Sequence, residues 1–346
     1  MIKLNNILNE VIQEGGAGGH MAHPFDFVNT GAKLVDVFVK SIESLKRGGG
    51  SVKIDGVNAS IRLANGQFVM DRGSAKPLDI KGMRPEDLAT RFAPGHGLIT
   101  IGSKVINIFD EAIPTTKTEL NKLGLLDNPN ILFNIEYVEG QTQTNVLGYS
   151  EIGNFLAIHG LKEIKPKTFG KDGSIKSRVA TEIPYDKAAM HSYIDKLNKI
   201  AVKHGFKVLG SVDTTFKSEP RIANVLIRPI TLYPNGKAVT KSLKDWLKGL
   251  TFKTPLITRE QFLKAVDSKN ISQDFPDQDI NKIVNDTIVY LTTIKLGDEV
   301  LKNATSEIGD LDKHEGIVVR DSSIYGNPFK ITGSFIIKGL GSKFKK

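Results

Sequence analysis

The 346-residue sequence predicts an α+β fold in which antiparallel sheets flanked by helices are interrupted by a helical insertion. Three observations carry this reading. Short apolar runs separated by turn residues begin at Ser51 and return near Gly316. Apolar residues at helical spacing dominate between about Glu182 and Ala304. No internal repeat or low-complexity tract is present, so the pattern is that of a globular chain.

Residues 1–13 read as a short amphipathic helix, with Ile2, Leu4, Ile7, Leu8 and Val11 on one side. It ends in Gly15-Gly16-Ala17-Gly18-Gly19, followed by His20-Met21-Ala22-His23-Pro24-Phe25-Asp26. Two histidines and an aspartate after glycines could hold a metal or phosphate, but a turn with a Pro-fixed exit is the favoured reading. A second helix is predicted over Ala32–Leu45 and stopped by Gly48-Gly49-Gly50. Strands follow at Ser51–Ile54, Ala59–Leu63 and Gln67–Asp71, the last two joined by Asn65-Gly66, a strong hairpin signal. Further strands are predicted at Ile131–Val138, Phe155–Leu161, Val225–Leu232, Gly316–Arg320 and Phe329–Ile331. In the helical region, Met190, Ile194, Leu197 and Ala201 keep one face and stop at Gly205. Thr258–Gln261 reads as a capping box, and Ile280, Ile283, Val284, Ile288 and Leu291 mark a longer helix. The expected domains are a leader at 1–50, a core of 51–165 plus 305–346, and an insertion at 166–304.

Composition excludes several classes. Hydrophobic residues at 40% and charged residues at 25% exclude wholesale disorder and fibres. The absence of cysteine excludes disulfides, thiolate catalysis and Cys-zinc sites. No apolar run approaches the roughly 20 residues of a membrane span, and the N-terminus lacks a signal-peptide pattern. No membrane association and a cytoplasmic location, the host's if the gene is a phage's, are therefore expected, with a monomer as the expected state. A formal net charge of +9 suits a polyanionic partner, although a mildly basic protein without one has the same balance.

Lys53-Ile54-Asp55-Gly56-Val57-Asn58 is the most informative stretch. By itself it is as readily a solvated strand end running into a turn. Its context adds to it. Asp71-Arg72-Gly73-Ser74 lies one hairpin later, and Glu136 stands inside the apolar strand Ile131–Val138. His314-Glu315-Gly316-Ile317 sets another acid beside an apolar run, and Lys330 and Lys338 sit on apolar runs near the C-terminus. A charge in an apolar strand is costly unless it is paired or has a task.

In this order the pieces resemble the covalent nucleotidyltransferase superfamily of ATP-dependent DNA ligases, RNA ligases and messenger-RNA capping enzymes. Lys53-Ile54-Asp55-Gly56 resembles motif I, Arg72-Gly73 motif Ia, Glu136 motif III, Glu315-Gly316 motif IV, and Lys330 or Lys338 motif V. Asn58, where many DNA ligases have Arg, is similar to the phage RNA ligase 2 branch, as is the ending Ile337-Lys338-Gly339-Leu340-Gly341. That branch's second motif V lysine is absent, since Leu340 stands there. The Gly18–Asp26 stretch also resembles the N-termini of uncharacterised large-tailed-phage proteins.

The resemblance implies an ATP-grasp-like adenylation core without a C-terminal OB domain, using ATP and Mg²⁺ (or Mn²⁺). It implies that Lys53 takes the nucleotide, with Lys330 or Lys338 neutralising phosphate charge and Glu315 binding metal. Asp55, Gly56, Asn58, Arg72 and Glu136 would line the nucleotide site, with Phe155 or Ile158 as a wall for adenine. A lysine of pKa about 10.4 is almost wholly protonated at pH 7, so Lys53 needs a neighbouring cation to free its amine. The expected function is ATP-dependent polynucleotide joining, RNA before DNA. The alternative is a virion or nucleic-acid-binding relative that keeps the pocket without ligation. Lys162, Lys165, Lys167, Lys171, Lys176 and Arg178 form a basic run. Such runs are usually solvated, but beside a phosphoryl-transfer site they are equally candidates for phosphate-backbone contact, as is the basic tail 338–346.

Overall fold

A computed structural model of the chain describes residues 21–138 and 153–338. The helix expected over 1–13, His20 and the tail beyond Lys338 lie outside the described residues. The architecture is mixed α+β with antiparallel sheets. The strands in chain order are β1 (Gly50–Lys53), β2 (Val57–Ala64), β3 (Gln67–Asp71), β4 (Ile131–Val138), β5 (Phe155–Phe169), β6 (Ile175–Ile183) and β7 (Lys207–Leu209). They continue with β8 (Thr214–Phe216), β9 (Pro229–Leu232), β10 (Val239–Ser242), β11 (Ala304–Ser306), β12 (Gly309–Asp310), β13 (Gly316–Val319) and β14 (Phe329–Ile331).

The described chain forms two compact units, one of Asp55–Val212 and the other of Met21–Ile54 with residues 213–338. This division runs across the boundaries expected from sequence. Residues 21–50 group with the C-terminal half, and 166–212 group with the strands that precede them.

The first unit is built on a sheet of order β3-β2-β4-β5-β6, with β7 pairing parallel to the start of β5. Asn65 and Gly66 both have positive φ, 50° and 77°, as the two-residue β2–β3 turn requires. Helices Gly97–Lys122 and Lys187–Ala201 share the core with this sheet through Phe109, Tyr193, Phe68 and Phe133, with the Phe133 and Tyr193 rings stacked 4.8 Å apart. The 97–122 helix escaped the sequence reading. Its Ile- and Val-rich start satisfies a strand period as well as a helical one, and Pro114 lies in its interior. Burial of Ile101, Val105, Ile108, Phe109 and Ala112 selects the helix.

In the second unit a three-stranded sheet of order β1-β13-β14 lies with the helices Gly31–Lys46 and Ile280–Lys302. Thr30 caps the first helix by accepting from the Lys33 amide. The capping box at Thr258 and Gln261 is present and opens the helix Arg259–Asp267. The long helix buries residues well beyond one stripe, Ile283, Ile288, Leu296 and Val300 among them. The strand predicted at Val225–Leu232 is corrected. Ile222–Leu226 is a helical turn and only Pro229–Leu232 is extended, as a hairpin with β10. The insertion expected from 166 opens on strand, because β5 continues to Phe169 and β6 returns as far as Ile183, and helix follows only from Lys187. Alternating exposed and half-buried residues on a ribbon leave little apolar signal to read.

Candidate active site

In the second unit, β13 is the central strand, so the chain on each side of it delivers one lysine. Lys53 at the end of β1 lies opposite Gly316, and Lys330 on β14 lies opposite Val318. Glu315, immediately before β13, receives both. Lys53 Nζ donates to Glu315 Oε2 at 2.8 Å, and Lys330 Nζ stands 4.0 Å from Glu315 Oε1. A second Lys53 hydrogen bond goes to the Ile54 carbonyl at 2.8 Å. The close approach demands the glycine after Glu315. A Cβ on Gly316 would lie 2.0 Å from the Ile331 carbonyl oxygen, which is far inside contact distance.

Lys330 is held below the usual lysine range by burial. The Lys53 and Arg259 charges push it further down, against the opposing pull of Glu315 and Asp26. Asp26 comes from the stretch after His20. Its carboxylate accepts from the His23 amide at 2.7 Å, and the Lys330 amide donates to the Ala22 carbonyl at 2.9 Å. The favoured turn reading of His23-Pro24 therefore describes a short 3-10 turn, with His23 buried at its start. Lys338 closes the turn Phe335–Lys338, and its side chain lies outside the described part.

The Lys330 shift has a consequence for stability. Its folded pKa lies below its unfolded value, so the unfolded chain binds more protons and the penalty falls as pH rises toward the usual lysine range. Lys330→Met is expected to shift the denaturation midpoint most favourably near pH 7, with the difference from wild type shrinking toward pH ~10. Denaturant titrations across that range measure it, and a constant difference would contradict the assignment.

The first unit gathers the other motif residues. Glu136, buried on β4, accepts from the Gly56 amide at 2.8 Å through Oε1, and its Oε2 meets His159 Nε2 at 3.1 Å. A Cβ on Gly56 would lie 2.7 Å from the Tyr137 carbonyl and 2.8 Å from Glu136 Cγ, so only glycine fits there. Sequence reasoning did not single out His159. It sits where the β4–β5 register slips, with Ile158 opposite Ile135 but Gly160 opposite Asn134. Such a bulge re-aims one side chain, and its trace in the sequence is a lone histidine and glycine inside Phe155–Leu161.

Asn58 donates to Asn134 Oδ1 at 3.4 Å, and the Arg72 guanidinium donates to the Asn58 carbonyl. Asp71 and Asp79, both fully buried, fix the Arg72 loop. Gly73 N donates to Asp71 Oδ1 at 2.7 Å, Arg72 N to Asp79 Oδ1 at 3.4 Å, and Ser74 Oγ to Asp79 Oδ2. Asp55 is half-buried in the link between β1 and β2.

Two expectations need correction. Phe155 is fully buried and Ile158 nearly so, so neither offers an open face for adenine. Arg178 is not a free phosphate contact, because its guanidinium forks onto Asp71 at 2.8 and 3.1 Å and reaches the Ser74 carbonyl. Lys165 pairs with Glu163 at 2.6 Å and remains exposed, as do Lys167, Lys171 and Lys176, while Lys162 is half-buried.

Among the described residues no cluster of three or more His, Asp or Glu side chains forms a ready metal cage, and no helix is long and apolar enough to cross a membrane. No known protein family matches the sequence, and neither a curated protein nor a solved structure matches it.

Proposed function

We propose that the protein is a covalent nucleotidyltransferase that charges Lys53 with AMP from ATP and passes it to a polynucleotide 5′-phosphate for joining, RNA before DNA. The observation that carries this reading is the meeting of Lys53 and Lys330 on Glu315, with Lys53 lying 262 positions away from it in sequence. Two cations around one carboxylate make a site of net positive charge, which favours a phosphate group. Ser51 Oγ, buried without a hydrogen-bond partner among the described residues, lies on the strand face that Lys53 and Lys330 share by register. An unsatisfied buried hydroxyl there fits a site that takes a polar ligand.

In the reading's chemistry, Lys53 Nζ passes a proton to an acceptor, and Glu315 Oε2 at 2.8 Å is placed to take it. The freed lone pair attacks the α-phosphorus. An N–P bond forms, the bond to the bridging oxygen breaks, and pyrophosphate leaves with the electron pair. Lys330, beside Glu315, balances charge on the reacting phosphate. Glu315 also offers the hard oxygen that Mg²⁺ prefers, and the ion would supply further neutralisation of the phosphates. The AMP then moves to a 5′-phosphate, and a 3′-hydroxyl displaces it to seal the strand. Ribose and phosphate contacts are what the resemblance implies for Glu136 and Arg72 of the first unit. Asn58 supports RNA over DNA on the same ground, and 2′-hydroxyls are the local handle for the choice.

Incubation with α-labelled ATP and Mg²⁺, followed by denaturing electrophoresis, tests the first step. Covalent label on the chain is expected. Its absence would leave a protein that binds nucleotide or polynucleotide without transfer. Matched RNA and DNA nicks then test the substrate, and equal sealing of both would defeat the RNA preference.

A further inference from the structure

The end of the β5–β6 hairpin leaves the sheet. β4 pairs with β5 as far as Ile131 opposite Glu163, the Ile164 amide still donates to the Asn130 carbonyl at 3.0 Å, and beyond Ile164 β5 has β6 alone as a strand partner. The pairs Lys165–Val179, Pro166–Arg178, Thr168–Ser177 and Phe169–Ile175 form a two-stranded ribbon closed by a Gly170 amide bond to the Ser174 carbonyl at 2.7 Å. Two register shifts, at 166/168 and 168/169, add twist.

An isolated ribbon of this kind is marginal in water and needs an anchor. Arg178 supplies it. Its fork onto Asp71, which also receives Arg62 Nε at 3.2 Å, ties the ribbon's base to the edge strand β3 and the Arg72 loop. Both arginine side chains and the aspartate are buried, so this is a desolvated network and not a solvated surface pair. Past the anchor the character reverses. Phe169 is 62% exposed, while most other phenylalanines among the described residues are buried. Around it the ribbon carries Lys167, Lys171 and Lys176 against one acid, Asp172, whose carboxylate is engaged by Ser174, while Lys165 at the base pairs with Glu163.

From this geometry we infer that the ribbon is an arm for single-stranded polynucleotide, with Phe169 stacking on an unpaired base and the lysines meeting successive phosphates. The inference takes only its choice of ligand from the proposed function. Exposed apolar ring area is unfavourable in water, and a base face covers it whatever the base. A duplex keeps its base faces stacked on each other, so it could engage the lysines but not the ring. The charge complementarity and the ring together select a single strand.

Fluorescence anisotropy of the full chain, without ATP or Mg²⁺, tests this with a labelled oligouridylate, an oligothymidylate of equal length and the matched duplex. Phe169→Ala is expected to weaken single-strand binding roughly tenfold with little change in salt slope. Phe169→Trp should keep or tighten binding. Replacing Lys167, Lys171 and Lys176 together by Gln should lower the slope of log affinity against log salt by about 2. Unchanged affinity in Phe169→Ala, an unchanged slope in the triple variant, or tighter binding of the duplex would each overturn the arm. Because no nucleotide is present, a chain that never labels Lys53 can still bind, and one that labels can still fail to bind. The two readings therefore fail separately.

Discussion

Lys53→Ala and Lys53→Arg are both expected to take no covalent label from α-labelled ATP. Alanine removes the nucleophile. Arginine keeps the positive charge and can still reach Glu315, but its guanidinium stays protonated at any working pH and cannot form the N–P bond. The pair of variants separates a nucleophile from a mere phosphate anchor, since an anchor would tolerate arginine better than alanine. Lys53→Ala also takes a partner from Glu315, so denaturant unfolding of both variants is read beside the label to confirm that they are folded. Label persisting in either variant would sink the assignment.

Glu315→Ala carries the second large effect, and it appears in two measurements. Labelling should be abolished, because the carboxylate placed to receive the Lys53 proton and to hold Mg²⁺ is gone. Stability should also fall by about 3 kcal/mol, the lower end for breaking a buried pair, because Lys53 and Lys330 lose the carboxylate they share. Glu315→Gln keeps the side chain's volume and one carbonyl oxygen for Lys53. Its stability cost is expected to be smaller, on the order of 1 kcal/mol, while labelling stays abolished. Chemical denaturation read beside the labelling assay distinguishes the two roles. A wild-type labelling rate in Glu315→Gln would make the acid structural only.

Much of the local structure was readable from composition and period. The Asn65-Gly66 turn, the β4 and β14 boundaries and the Thr258 capping box depend on short-range chemistry, and each stands at its expected residues. The helix over 97–122 was not readable, because its apolar residues fit two periods and burial chose between them. The β6 strand was missed for the opposite reason, since its residues are exposed or half-buried and leave no apolar stripe to betray it.

The sequence by itself determined which residue types are rare enough in their surroundings to matter: Lys53 before Asp55-Gly56, Glu136 inside an apolar strand, Glu315 before Gly316, and Lys330 between two apolar neighbours. That Gly56 and Gly316 are positions of close approach came from the structure, where a Cβ at either would collide with a backbone carbonyl. Only the tertiary structure decided which of these residues meet. Lys53 and Glu315 are 262 positions apart, and their contact exists because β13 lies between β1 and β14. Only the tertiary structure, too, turned His159 onto Glu136 through a bulge, withdrew Arg178 from the basic run to hold Asp71, and left Phe169 bare. The physical reason is the same in each case. Strand order and register are set by where apolar area is buried across the whole chain, and no local window contains that sum.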